Sequence, residues 1–125
     1  MQHRGFGDLE ALIMDRIWDR AEPVTVREIF DDMVGDRAIA YTTVMSTMDN
    51  LHRKHWLERE RAGKAYRYWP SMTREERSAG LMRAAFAGGG DADLVLTHFL
   101  QQISADESAL LTQALQRLAT TERDR

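Results

Sequence analysis

Apolar positions recur at helical spacing through the first half of the chain, give way to alternation, then return to helical spacing. Leu9, Leu12, Ile13, Ile17 and Trp18 form one stripe and predict a helix over about Asp8–Arg20, with Asp8 as its N-cap. Pro23 excludes helix at Glu22. Thr25 and Glu28 make a capping box, and Val24 and Ile29 stand where a hydrophobic staple belongs. The helix they open faces Ile29, Phe30 and Met33 inward and ends at Gly35, where a left-handed residue is wanted. Over Ala40–His55 the local preference of Tyr41, Thr42, Thr43 and Val44 is as much strand as helix. Val44, Met48 and Leu51, at i, i+4 and i+7, decide for a helix, with His55 following on the same side. Its other face carries Thr42, Thr43, Ser46, Thr47, Asn50, Arg53 and Lys54.

Leu57–Arg61 and Lys64–Trp69 alternate and read as a hairpin about an Ala62-Gly63 turn. That turn sets Glu58 opposite Arg67, Arg59 opposite Tyr66 and Leu57 opposite Tyr68, with Arg61 and Lys64 at the tip. Pro70 stops the sheet. Helix, capped helix, polar-faced helix and basic hairpin, in that order, make a helix-turn-helix with a wing. Trp56 and Trp69 read as packing at the wing's junctions.

The second half is different. Thr73 and Glu76 cap a helix to about Ala87 with Leu81, Met82, Ala85 and Phe86 on its apolar side. Gly88-Gly89-Gly90 then reads as a flexible joint or wide turn. Asp91 caps a helix bearing Leu94, Val95, Leu96, Phe99, Leu100 and Ile103. Ser104 and Glu107 cap the last, with Leu110, Leu111, Ala114, Leu115 and Leu118 at 3–4 spacing, and Thr120–Arg125 as a frayed end. These faces are too broad for the elements at hand. Either a second copy covers them or they fold back on the first helix; pairing is the simpler solution. The expected fold is mainly α with a small hairpin, a winged helix-turn-helix domain at 1–71 and a helical dimerisation region at 72–125.

Charge sharpens the picture. The net charge is −3, yet Tyr41–Trp69 holds six basic and three acidic residues, a local +3 on a remainder of −6. Such an island either docks on phosphates or is a solvated surface. The hydroxyls and amide of the third helix tip the balance. A structural surface helix favours Glu, Lys and Gln, whereas small donors and acceptors backed by Arg53 and Lys54 suit base edges and phosphates. The absence of cysteine excludes disulfides, thiolate metal sites and a cysteine nucleophile, and fits a cytoplasmic protein. No apolar run reaches the ~20 residues of a membrane span, so no membrane insertion is expected.

Ala40-Tyr41-Thr42-Thr43-Val44-Met45, followed by Leu51, Lys54, Arg59-Glu60-Arg61, Gly63, Ala65-Tyr66, Tyr68 and Pro70, resembles the penicillinase repressor family, bacterial winged-helix regulators of β-lactamase and related genes. Gly7-Asp8-Leu9-Glu10, Met14-Asp15, Trp18 and Thr25-Val26-Arg27-Glu28 match as well. The resemblance implies a homodimeric repressor whose third helix (about 40–55) enters the major groove of a dyad operator, with the wing (about 57–69) on the backbone. At matching positions Thr42, Thr43, Ser46, Thr47 and Lys54 face DNA, with Arg61 and Lys64 on the wing. It further implies C-terminal helices that interlock. In antibiotic-responsive members a membrane sensor protease triggers cleavage inside them, and the corresponding place is His98-Phe99. Asn in place of His98 marks the family's well-known site. Other departures are Asn50, where Arg is common, and His55-Trp56, in place of a Gly-Leu-type pair. No cofactor is implied. His52 and His55 are three apart, but no Cys or third His lies near them in the sequence to complete a metal site. No catalytic constellation is present. The competing reading is an interaction module on the same scaffold without sequence-specific DNA binding.

Overall fold

The computed structural model describes residues 6–124. Its elements are α1 (Asp8–Trp18), α2 (Val26–Val34), α3 (Tyr41–Arg53), β1 (Leu57–Ala62), β2 (Ala65–Pro70), α4 (Arg74–Gly88), α5 (Ala92–Gln102) and α6 (Ala105–Arg123). The chain divides into two compact units, one ending at Leu81 and the other beginning at Met82.

The first unit contains every fully buried side chain among the described residues. α1 contributes Ile13, Met14 and Ile17, α2 contributes Ile29 and Met33, and α3 contributes Val44, Met48 and Leu51. Val24, Leu57 and Tyr68 close the core from the chain between α1 and α2 and from the hairpin. Val24 pairs with β2 as a single bridge, its amide donating to the Tyr68 carbonyl at 2.9 Å and its carbonyl accepting from the Tyr68 amide at 2.7 Å. The Trp18 indole donates to the Met72 carbonyl at 2.9 Å, and the Arg77 guanidinium lies 3.9 Å over Phe6, which anchors the start of α4. Phe6 also packs edge-on against Trp56, with ring centroids 4.6 Å apart.

Several local expectations are corrected. Gly7, not Asp8, is the N-cap of α1, and the Glu10 carboxylate accepts from its amide at 2.9 Å. Leu12 is exposed while Met14 is buried, because the centre of the stripe runs through Ile13 and Ile17 and leaves Leu12 on the outer flank. α1 ends at Trp18. At the start of α2 the capping box forms reciprocally, Thr25 Oγ1 accepting from Glu28 and Glu28 from Thr25. Gly35 is right-handed (φ −71°), because the chain leaves α2 by a further right-handed turn in which Asp36 and Arg37 donate to the Met33 carbonyl.

α3 stops at Arg53, and His55 leaves its apolar stripe. The Trp56 amide donates to the Leu51 carbonyl at 2.9 Å and the His55 amide to that of His52 at 3.0 Å. This is a Schellman motif, and it places His55 in the left-handed region with φ 69°.

The hairpin also turns one residue later than expected. Ala62 pairs with Ala65, Arg61 with Tyr66, Glu60 with Arg67, Arg59 with Tyr68, Glu58 with Trp69 and Leu57 with Pro70. The turn residues are therefore Gly63-Lys64, with Gly63 at φ 67°. A two-residue hairpin turn wants positive φ at its first central position, which Gly63 supplies and Ala62 does not. Shifting the turn by one moves each partner by two, so the faces survive and Leu57 and Tyr68 still point into the core.

In the second unit the α5 and α6 caps form at Asp91 and Ser104. α6 continues through Thr120 to Arg123, where a frayed end was expected; Arg125 lies outside the described residues. The glycine run is a demanding turn, not a loose joint. A Cβ on Gly89 would stand 2.5 Å from the Ala85 carbonyl oxygen, and Gly90 has φ 103°. No helix of the described residues is long and apolar enough to cross a membrane.

Candidate nucleic-acid interface

α3 divides cleanly into two faces. Val44, Met48 and Leu51 are fully buried, whereas Thr42, Thr43, Ser46, Asn50, Arg53 and Lys54 are all exposed. Thr47 is half-buried, and its hydroxyl donates to the Thr43 carbonyl at 2.8 Å, so its proton is engaged within the helix. Arg61 and Lys64 are exposed at the far end of the hairpin and take part in no ion pair among the described residues.

Lys54, Arg53 and Arg59 are tied down. Lys54 Nζ donates to Glu10 Oε2 at 2.8 Å, which fastens the end of α3 to α1. Burial raises the pKa of the Glu10 carboxyl, but Lys54 and the Gly7 amide outweigh it and hold the group below the ordinary range. Arg53 Nη2 donates to Asn50 Oδ1 and lies 3.1 Å from Asp49 Oδ2. Arg59 Nη1 reaches Asp49 Oδ1 at 2.9 Å and the Tyr68 hydroxyl at 3.2 Å, so Asp49 bridges α3 to the wing. The guanidinium of Arg59 lies 4.0 Å over the Tyr66 ring. The expected Arg59–Tyr66 contact thus forms, but diagonally, since Tyr68 is the residue opposite. Its hydrogen bond to Tyr68 raises the pKa of Arg59, and Asp49 adds to this.

Two residues escaped the sequence reading. Met45 is 43% exposed on α3 beside the hydroxyls. It lies off the Val44/Met48/Leu51 stripe, and that offset was the available signal. Arg27, on α2, lies 4.5 Å over the Tyr41 ring and sets a cation beside the start of α3. The contact joins two helices and has no sequence signature. His52 and His55 do not come together in a ligand cluster; among the described residues no group of three or more His, Cys, Asp or Glu side chains is placed to hold a metal.

In the second unit Leu94, Phe99, Leu100, Leu110, Leu111, Leu115 and Leu118 are exposed, as are Met82 and Leu96, and Ile103 is half-buried. His98 and Phe99 lie within α5.

The penicillinase repressor family model matches residues 6–117. The transcriptional regulator BlaI of Mycobacterium tuberculosis is 40% identical over 115 residues, covering 90% of this chain and 83% of that one. The solution structure of the DNA-binding domain of the repressor BlaI superposes with a TM-score of 0.52 at 18% identity, over 57% of this chain and 85% of that domain. That likeness is one of fold: a winged helix-turn-helix within a mainly α chain. The family match spans both units and the relative is aligned over most of its length, so the chain belongs to the penicillinase repressor family of transcriptional regulators.

Proposed function

We propose that the protein is a homodimeric repressor that binds a dyad operator, with α3 in the major groove and the β1–β2 wing on the backbone. The observation that carries the reading is the division of α3: one face fills the core, and the other presents hydroxyls, an amide and cations to solvent. Thr42, Thr43 and Ser46 meet base edges, with Met45 available to a thymine methyl. Arg61 and Lys64 contact phosphates, joined by Arg27 beside the start of α3 and by Lys54 once it leaves Glu10. Thr47 supports the helix from within.

Residues 72–125 are the dimerisation region. A single copy leaves nine large apolar side chains exposed between Met82 and Leu118. Burying what each still exposes is worth on the order of 1 kcal/mol, so a second copy is the natural cover. If a membrane sensor protease releases the repressor at His98-Phe99, α5 must first open, because those residues sit inside a helix.

Footprinting of the full chain on its own genome and promoter tests the reading. A protected dyad that survives competitor DNA at physiological salt is the expected result, with affinity falling steeply as salt rises. No protected sequence would refute it and leave the interaction-module reading.

A further inference from the structure

One guanidinium on the outward face of α3 is held in place. Arg53 lies on the same side of the helix as Thr42 and Ser46, and its side chain is 67% exposed. Its Nη2 nevertheless donates to Asn50 Oδ1 and approaches Asp49 Oδ2 at 3.1 Å. Asp49 is itself gripped from the wing by Arg59, which also binds the hydroxyl of Tyr68, a core residue only 2% exposed. A continuous path of polar contacts therefore runs from the core through Tyr68, Arg59 and Asp49 to Arg53.

This arrangement separates Arg53 from the wing cations Arg61 and Lys64. A phosphate contact asks only for a positive charge within reach, whereas reading a base edge asks for a fork in a fixed direction. The oxygen of Asn50 must be the atom facing Arg53, since a guanidinium has no acceptor. With that oxygen occupied, Asn50 is poorly placed for adenine, whose paired readout needs the amide oxygen to accept from N6 while the nitrogen donates to N7.

We propose that Arg53 is the guanine reader of each half-site, and that Asn50 and Asp49 are positioning residues that act through it. The assignment rests on the proposed DNA-binding function and deepens it. Guanine offers O6 and N7 as two acceptors in the major groove, the edge that an arginine fork matches.

Selection from random-sequence duplex DNA, with the full chain, tests it. The wild type should enrich guanine at one position per half-site by about five- to 150-fold. Arg53→Ala should flatten that position alone, and Asn50→Ala should weaken the same position several-fold. Asn50→Asp should keep the guanine, because a carboxylate still accepts from Arg53, while lowering affinity for all sequences alike. A wild type that selects no sequence would overturn the DNA-reading function and this assignment with it. A wild type that selects a site, with Arg53→Ala leaving every base preference unchanged, would overturn the assignment alone. So would Asn50→Ala altering a different position from Arg53→Ala, or Asn50→Asp exchanging guanine for another base.

Discussion

Replacing His55 with glycine should stabilise the first unit. His55 occupies the C′ position of α3 at φ 69°, where a Cβ crowds the following carbonyl. The left-handed conformation costs an L-residue about 1–2 kcal/mol. Glycine removes that cost but gives back about 0.4–1 kcal/mol through the greater freedom of the unfolded chain. The imidazole is exposed, so little packing is lost. The carbonyl of His55, which accepts from Ser71 Oγ at 2.6 Å, stays in either variant. The net gain is about 0.5–1 kcal/mol, and about 1 kcal/mol moves the melting temperature of a domain this size by about 4–8 °C. The assay is thermal unfolding followed by circular dichroism at one fixed protein concentration, since the proposed pairing would make the midpoint depend on concentration. His55→Ala is the control, because it removes the imidazole but keeps the strain, and should fall near the wild type. A His55→Gly midpoint at or below that of His55→Ala would refute the account, and would mean that the Schellman turn tolerates a side chain here without cost.

Leu111→Asp or Leu115→Asp should yield monomers in sedimentation at micromolar concentration and bind the operator on the order of 100-fold more weakly, as the linked second half-site is lost. Glu10→Gln should lower stability at neutral pH but not in acid. The folded-state pKa of Glu10 lies below its ordinary 4.5, so its contribution is present above that value and vanishes as pH falls through the folded one. Wild-type and variant melting curves should converge below pH 4.5. Lys64→Ala should weaken specific and non-specific DNA alike and reduce the salt slope by about one. Gly89→Ala should cost about 1–3 kcal/mol in the second unit, measured by denaturant unfolding, since the new methyl meets the Ala85 carbonyl.

The buried half of the fold was legible in the sequence wherever periodicity and caps agreed. Thr25 with Glu28, Thr73 with Glu76 and Ser104 with Glu107 each form the reciprocal bonds that their spacing announced. What escaped was backbone handedness. Residue type alone puts the hairpin turn one residue early, because Ala62-Gly63 and Gly63-Lys64 look alike until the sign of φ at the first central position is considered. Composition points to a left-handed residue at Gly35, yet α2 ends right-handed, and the left-handed helix end is that of α3 at His55, a residue whose type advertises no such conformation. Gly88-Gly89-Gly90 read as loose because composition carries no trace of the approach between Gly89 and Ala85. The candidate site divides along the same line. Which residues face outward on α3 follows from spacing, whereas the partner each outward side chain takes depends on contacts from α1 and the wing.

Those partners change how the cations contribute. In the proposed complex Lys54 would have to leave Glu10 to reach a phosphate, and the bond surrendered would offset part of the gain. Among the described residues Arg61 and Lys64 have no ion pair to surrender. Arg53 has already given up side-chain freedom to Asn50 and Asp49 in the unbound protein, so under the proposed readout little more would be lost on meeting a base. Non-specific affinity should therefore rest mainly on the wing, and discrimination on the pre-ordered end of α3. Because Asp49 joins the two through Arg59, a change at Asp49 should disturb both at once. Asp49→Ala should lower non-specific affinity less than Lys64→Ala does, yet lose more of the preference for the selected operator over competitor DNA.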